Sequence, residues 1–118
     1  MYKRQVPEAA KYQADRNIAE IAKSTEFNNR PDALCVSGLT AGSETDTQVL
    51  SVVKNSVKRT PILCNTGCNK DNITRQLSVA DGAVCATTFK IDGIFENAVD
   101  EQRVKEFMDI VKEFRKTL

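Results

Sequence analysis

The sequence contains no histidine and no tryptophan, and it has only 5 glycines and 3 prolines among 118 residues. Without histidine, the chain cannot itself supply a Ser-His-Asp or Cys-His catalytic group, a histidine zinc ligand or a histidine pH switch. Its formal charge of +1 lacks the basic excess of a nucleic-acid backbone binder, so no nucleic-acid partner is expected. No apolar run approaches the roughly 20 residues of a membrane span, so no transmembrane helix is expected.

What remains is the composition of one small domain, 41% hydrophobic and 28% charged. The opening MYKRQVPEAAKYQ lacks the apolar segment of a secretory signal. This favours a reducing cytoplasmic setting in which the cysteines stay thiols. Cys64 and Cys68 have C-x3-C spacing without a second pair at zinc-ribbon spacing, so neither a metal site nor a cofactor is predicted. Cys35, Cys64 and Cys85 are interpreted as small core residues, and Cys68 either as a loop cysteine or as a thiol of lowered pKa.

Apolar residues at helical spacing predict four helices. They begin after Asp15, near Thr45, near Asn69 and at Asp100. Thr45 has capping-box spacing with Gln48, and Asp46 is interpreted as a helix-start residue rather than a general base. The last helix carries one apolar stripe opposite a charged face, which is typical of a helix packed on a core.

Between these helices lie three short apolar runs, at residues 33–36, 61–64 and 82–85. None alternates apolar with polar residues, so each is expected to be a strand covered on both faces, as in parallel sheets. The predicted order is αβαβαβα, with every strand followed by a helix. The fold class is therefore α/β.

Polar loops follow all three strands, and ligands of parallel α/β folds bind at the carboxyl ends of strands. Small and hydroxylated residues there let backbone N–H groups reach an anion, which predicts a site for a phosphorylated small molecule. The candidate residues are Ser37, Gly38, Thr40 and Gly42 in the first loop, Thr66 and Gly67 in the second, and Thr87, Thr88 and Lys90 in the third.

These residue types also occur in ordinary tight turns, and Lys90 is equally well explained as a solvated loop lysine. Asp92 with Gly93 is interpreted as a turn rather than a catalytic carboxylate. No catalytic residue is identified.

The most specific motif is Lys90-x-Asp92-Gly93, followed by Asn97-x-Val99-Asp100 and Arg103-Val104. Shorter motifs lie at residues 32–34, 36–38, 40–43, 45–46 and 80–82. Together they resemble the C-terminal part of the BtpA family of TIM-barrel proteins, over nearly everything after Gln13. The resemblance implies a partial (β/α)8 barrel whose three strands are the sixth to eighth. Residues 13–118 form that part, and residues 1–12 are interpreted as a segment with a non-native start.

The family resemblance leaves two functions open. One is a non-catalytic factor for photosystem I biogenesis or stability, peripheral to thylakoid membranes if the host is photosynthetic. The family also occurs in organisms without photosynthesis. The alternative is a phosphosugar enzyme of the ribulose-phosphate-binding class, isomerase- or epimerase-like, with its catalytic residues on strands that this chain lacks. Whether the chain is an enzyme therefore stays open.

The chain departs from the family at the expected phosphate loops. The usual Gly-Ser-Gly is replaced by Asn65-Thr66-Gly67, and Ala86 stands for the glycine before Thr87. Each lost glycine adds a Cβ near the path of an incoming phosphate, which weakens the expected site.

An open three-stranded sheet cannot close a barrel and leaves two unpaired edges. The sequence therefore predicts that the isolated chain is molten or poorly soluble, or that it self-associates as a homo-oligomer. Arg103 lies in the first turn of the last helix, where the helix dipole disfavours a positive charge, and its match to the family implies a pairing with Asp100 or a loop carboxylate.

Overall fold

A computed structural model of the chain describes residues 3–5, 17–38 and 42–118. Thr40 lies outside these residues. The regular elements, in chain order, are β1 (Lys3–Gln5), α1 (Ile18–Asn29), β2 (Ala33–Val36), α2 (Thr47–Ser56), β3 (Ile62–Cys64), α3 (Ile73–Leu77), β4 (Gly82–Ala83), the 3-10 turns Thr87–Phe89 and Ile91–Gly93, and α4 (Glu101–Lys116). The fold is α/β, as predicted.

The four strands form one parallel sheet in the order β1-β2-β3-β4. The predicted count of three strands is wrong, because β1 precedes the predicted order αβαβαβα and pairs with β2 through Arg4 opposite Leu34. The segment Lys-Arg-Gln has no apolar residue, so hydrophobic patterning could not identify it. Its place in the sheet comes from backbone pairing, which is independent of side-chain polarity.

The core lies between the sheet and helices α1 to α4. Its largest fully buried apolar side chains are Leu34, Val36, Leu50, Val53, Ile62 and Ile73. All four residues of β2 are buried, as expected for a strand covered on both faces. The two residues of β4 are only half-buried, so that expectation fails at this edge of the sheet.

Two helix starts agree with the sequence, because α1 begins at Ile18, after Asp15, and α4 begins after Asp100, whereas the cap of α2 differs. The Asp100 side chain caps α4 as predicted, by accepting from the N–H groups of Gln102 and Arg103. Helix α2, however, is capped by Asp46, whose carboxylate accepts from the Gln48 N–H at 2.8 Å. Thr45 is fully buried instead, so the predicted capping-box role of Thr45 is wrong.

Glu26 on α1 holds the segment that enters β3. Its carboxylate accepts hydrogen bonds from the backbone N–H groups of Lys58, Arg59 and Thr60, and from the Thr60 hydroxyl at 2.9 Å. Burial raises the pKa of Glu26, but these four bonds outweigh it and lower the pKa to about 2. The charge of Glu26 therefore stabilises the end of the sheet opposite the candidate loops.

Within the described ranges, no helix combines the length and the apolar character that crossing a membrane requires.

Candidate functional site at the carboxyl ends of the strands

The loops after β2 and β3 are joined by side-chain hydrogen bonds. The Gly38 N–H donates to the Thr66 hydroxyl at 2.7 Å, and the Asn65 amide donates to the Ser37 hydroxyl at 3.0 Å. The buried Thr45 hydroxyl lies 3.3 Å from the carbonyl oxygens of both Val36 and Thr66. The structure therefore brings together Ser37, Gly38 and Thr66, as strand order predicts for adjacent parallel strands.

Close backbone packing explains two of the predicted glycines. A Cβ on Gly67 would lie 2.5 Å from the Cα of Glu44, and one on Gly38 would lie 2.8 Å from the carbonyl oxygen of Ser43. Gly67 also has a φ of +69°, which L residues with a side chain rarely adopt. Gly42 has a φ of +81°, but no atom of the described residues lies within 4 Å of the place its Cβ would take, so the turn explains this glycine.

The third predicted loop lies against α4. The Lys90 N–H donates to the Thr87 carbonyl at 3.1 Å, which closes a 3-10 turn. Arg103 donates from Nε to the Thr88 carbonyl at 2.8 Å. The expected carboxylate partner of Arg103 is therefore wrong, because the Asp100 carboxylate is already occupied by backbone N–H groups at the helix start. Asp92 and Gly93 have φ values of 57° and 68°, which confirms the predicted turn.

Some backbone donors at the strand ends have no acceptor among the described residues. Among the described residues, the N–H groups of Gly67, Thr87 and Thr88 donate no hydrogen bond. The Lys90 side chain is half-buried, and it forms no ion pair with any of the residues that the structure describes. Within the described ranges, no hydrogen bond joins the third loop, with Thr87, Thr88 and Lys90, to the second loop, with Thr66 and Gly67. The two loops lie at the same end of the sheet but are not linked to each other by hydrogen bonds.

Glu44 is a charged neighbour of the second loop that the sequence did not single out. Its carboxylate accepts from the Arg75 guanidinium and, at 3.0 Å, from the Gln76 amide. The hydrogen bond from Arg75 is the largest cause that lowers the pKa of Glu44. Gln76, which is fully buried, also donates to the Thr45 carbonyl at 2.9 Å. The negative charge beside Gly67 is therefore offset by a cation from α3.

Three cysteines form a thiol cluster between the second and third loops, consisting of Cys64, Cys68 and Cys85. The Sγ atoms of Cys64 and Cys68 are 3.2 Å apart and share a hydrogen bond. The Cys68 thiol also lies beside Cys85, and this contact is the largest cause that lowers the pKa of Cys85. All three sulfurs are free thiols. Within the described residues, no group of three or more histidine, cysteine, aspartate or glutamate side chains is arranged to hold a metal ion.

The ionisation order within the thiol cluster differs from expectation. The hydrogen bond with Cys64 lowers the pKa of Cys68. The contact with Cys85 and burial have the opposite and larger effect, so the pKa of Cys68 rises to about 12. The hydrogen bond with Cys68, together with burial, raises the pKa of Cys64 well above its usual range. The alternative of a lowered pKa at Cys68 is therefore wrong, because burial and its neighbours favour the neutral thiol. The sequence could not reveal this, since Cys85 is 17 residues further along the chain.

Comparison with known proteins gives consistent family matches. The model of the BtpA family matches residues 3–113. The chain is 58% identical over 111 residues to the putative sgc region protein SgcQ of Escherichia coli K12, covering 94% of this chain and 41% of that protein. It is 28% identical to the photosystem I biogenesis protein BtpA of Synechocystis, covering 82% of this chain and 34% of that protein. The chain thus spans less than half the length of these two relatives.

The fold also resembles a solved structure, thiamine phosphate pyrophosphorylase from Pyrococcus furiosus. The TM-score is 0.65 at 22% sequence identity, and the alignment covers 95% of this chain and 59% of that chain. At this identity the likeness concerns the fold alone, which is that of a TIM barrel.

Proposed function

Because the chain belongs to the BtpA family, we propose that it forms the anion-binding side of a (β/α)8 barrel. In this proposal β2, β3 and β4 are the sixth, seventh and eighth strands, and β1 is the fifth. The ligand is the phosphate group of a small molecule. In such barrels the loops after the last two strands commonly hold phosphate.

The backbone N–H groups of Gly67, Thr87 and Thr88, which lack acceptors among the described residues, carry this proposal. They lie in the loops after β3 and β4, where an anion would accept from them. Lys90 adds a positive charge that no carboxylate in the described residues neutralises, and it would act as a point charge towards phosphate. Thr66 contributes less, since its hydroxyl already accepts from Gly38.

The test is a titration of the full chain with inorganic phosphate and, separately, with ribose 5-phosphate, followed by backbone amide NMR. Saturable shifts are expected at Gly67, Thr87 and Thr88. Lys90→Ala is expected to weaken binding about tenfold, which corresponds to about 1.4 kcal/mol. Lys105→Ala removes an exposed charge from α4 and serves as the matched control.

Two results would contradict the anion site. One is the absence of saturable shifts at these three amides. The other is an equal loss of affinity in Lys90→Ala and Lys105→Ala, which would indicate general charge attraction rather than a site.

The cellular role of the barrel has two candidates. The Synechocystis relative is named for photosystem I biogenesis, which supports a non-catalytic assembly factor that is cytoplasmic, or peripheral to thylakoids in a photosynthetic host. The alternative is a phosphosugar isomerase or epimerase with catalytic residues on strands outside this chain. A full-length relative that turns over sugar phosphates would favour the enzyme. Membrane association without any turnover would favour the assembly factor.

A further inference from the structure

The thiol cluster is unused by the proposed anion site. Cys64 and Cys68 are 0% and 6% exposed, while Cys85, in the loop after β4, is only half-buried. We propose that the cluster is a redox site, in which a peroxide oxidises Cys85 and the oxidation ends as a disulfide between Cys64 and Cys68. This redox chemistry does not require anion binding.

The distance between the two buried sulfurs favours a disulfide. The Sγ atoms of Cys64 and Cys68 are 3.2 Å apart, and a disulfide bond is about 2.05 Å long, so roughly 1.1 Å of approach is needed. Cys68 lies in the loop after β3, where no regular backbone ladder holds it. The approach therefore requires a shift of loop residues and leaves the sheet intact.

The first step consumes the peroxide. The Cys85 thiolate attacks one peroxide oxygen, the O–O bond breaks, and hydroxide leaves and takes up a proton to become water. The sulfur is oxidised to a sulfenic acid. Cys68 then attacks this sulfur and forms a Cys68–Cys85 disulfide, and its proton leaves with the displaced hydroxyl group as a second water.

The second step is a thiol–disulfide exchange that transfers the disulfide to the two buried cysteines, Cys64 and Cys68. As the Cys64 sulfur attacks Cys68, its proton passes to the departing Cys85 sulfur, the Cys68–Cys85 bond breaks, and Cys85 leaves with the electron pair as a thiol. In sum, one peroxide and two thiols yield one disulfide and two waters.

The order of ionisation supports this direction. The lowered pKa of Cys85 makes it the cluster's most readily formed thiolate, which is the form that attacks a peroxide. A thiol of low pKa is also the better leaving group in disulfide exchange, so Cys85 is released rather than Cys64. The product would close a ring around residues 65–67, the segment that contains Thr66 and Gly67.

The experiment treats the full reduced chain with equimolar hydrogen peroxide and maps peptides under non-reducing conditions. The expected product is a Cys64–Cys68 disulfide, seen as the loss of two hydrogen atoms and reversed by dithiothreitol. Cys35 is the internal control, because it is a fully buried cysteine on β2 and is expected to remain a thiol that alkylates only after denaturation.

Variants separate the roles of the three sulfurs. Cys85→Ser is expected to slow disulfide formation at least tenfold, whereas Cys35→Ser leaves the rate unchanged. Cys68→Ser is expected to trap the sulfenic acid on Cys85, where dimedone labels it. If a serine variant fails to fold, as judged by circular dichroism, the corresponding alanine variant replaces it.

Three outcomes would overturn the proposal. They are the absence of a disulfide in the wild-type chain, oxidation of Cys35 as fast as the cluster, and an unchanged rate in Cys85→Ser. Equal reactivity of all four cysteines would indicate that the chain is unfolded and that the thiol cluster is not a specific redox site.

Discussion

Replacing Glu26 by glutamine tests whether one carboxylate holds the sheet at the end opposite the candidate loops. The substitution keeps the size of the side chain but removes the charge that three backbone N–H groups and the Thr60 hydroxyl share. An amide oxygen accepts such bonds less strongly than a carboxylate, and the amide NH₂ cannot accept them at all. The variant therefore mimics the protonated form of Glu26 at neutral pH.

The magnitude follows from the pKa. A fall from 4.5 to about 2 corresponds to about 3 kcal/mol in favour of the ionised form. Since Glu26 is only half-buried, solvent screening reduces the expected loss of stability to about 1–2 kcal/mol. For a chain of this size, that loss lowers the Tm by about 5–10 °C.

The effect should depend on pH in one direction. Because the pKa of Glu26 is lower in the folded chain, its contribution is fully present above pH 4.5 and is lost as the pH falls through about 2. Wild type and Glu26→Gln should therefore differ at pH 7 and converge towards pH 2.

Thermal unfolding followed by circular dichroism, at one protein concentration, measures this difference. Amide hydrogen exchange should also quicken at Arg59 and Thr60, whose N–H groups lose a charged acceptor. Glu20→Gln on the same helix is the control, because no donor reaches its exposed carboxylate within the described residues. Equal stability of wild type and Glu26→Gln at pH 7, or a difference that persists unchanged at pH 2, would refute the reasoning.

Two further predictions concern a glycine and the sheet edges. Gly67→Ala should lower the free energy of unfolding by about 2–3 kcal/mol in urea, because its Cβ would clash with Glu44 in addition to the strain of a positive φ. Gly42→Ala, whose Cβ meets no atom of the described residues within 4 Å, should cost only about 1 kcal/mol, and equal losses would contradict this account. The edges β1 and β4 should make the chain self-associate, so light scattering coupled to size exclusion should give a mass above 13.1 kDa, and a cooperatively unfolding monomer would contradict this.

The sequence determined the elements whose signal is local. Helical spacing and an N-cap located the helix that begins at Asp100, and unbroken apolar runs located β2, β3 and β4. The sequence also predicted polar loops at the carboxyl ends of the strands, and hydrogen bonds join two of these loops, those containing Ser37 and Thr66. A role for these loops in anion binding stays a prediction.

Only the tertiary structure decided the features that depend on distant residues. The polar strand β1 is fixed by pairing with β2, and Thr45 is buried because its hydroxyl reaches the carbonyl oxygens of Val36 and Thr66. The pKa of Cys85 is lowered chiefly by Cys68. The pKa of Glu26 is lowered by hydrogen bonds from backbone N–H groups that lie 32 to 34 residues further along the chain. Propensity and periodicity describe a chain locally, whereas burial, charge and hydrogen bonding at a site depend on which segments the fold brings into contact.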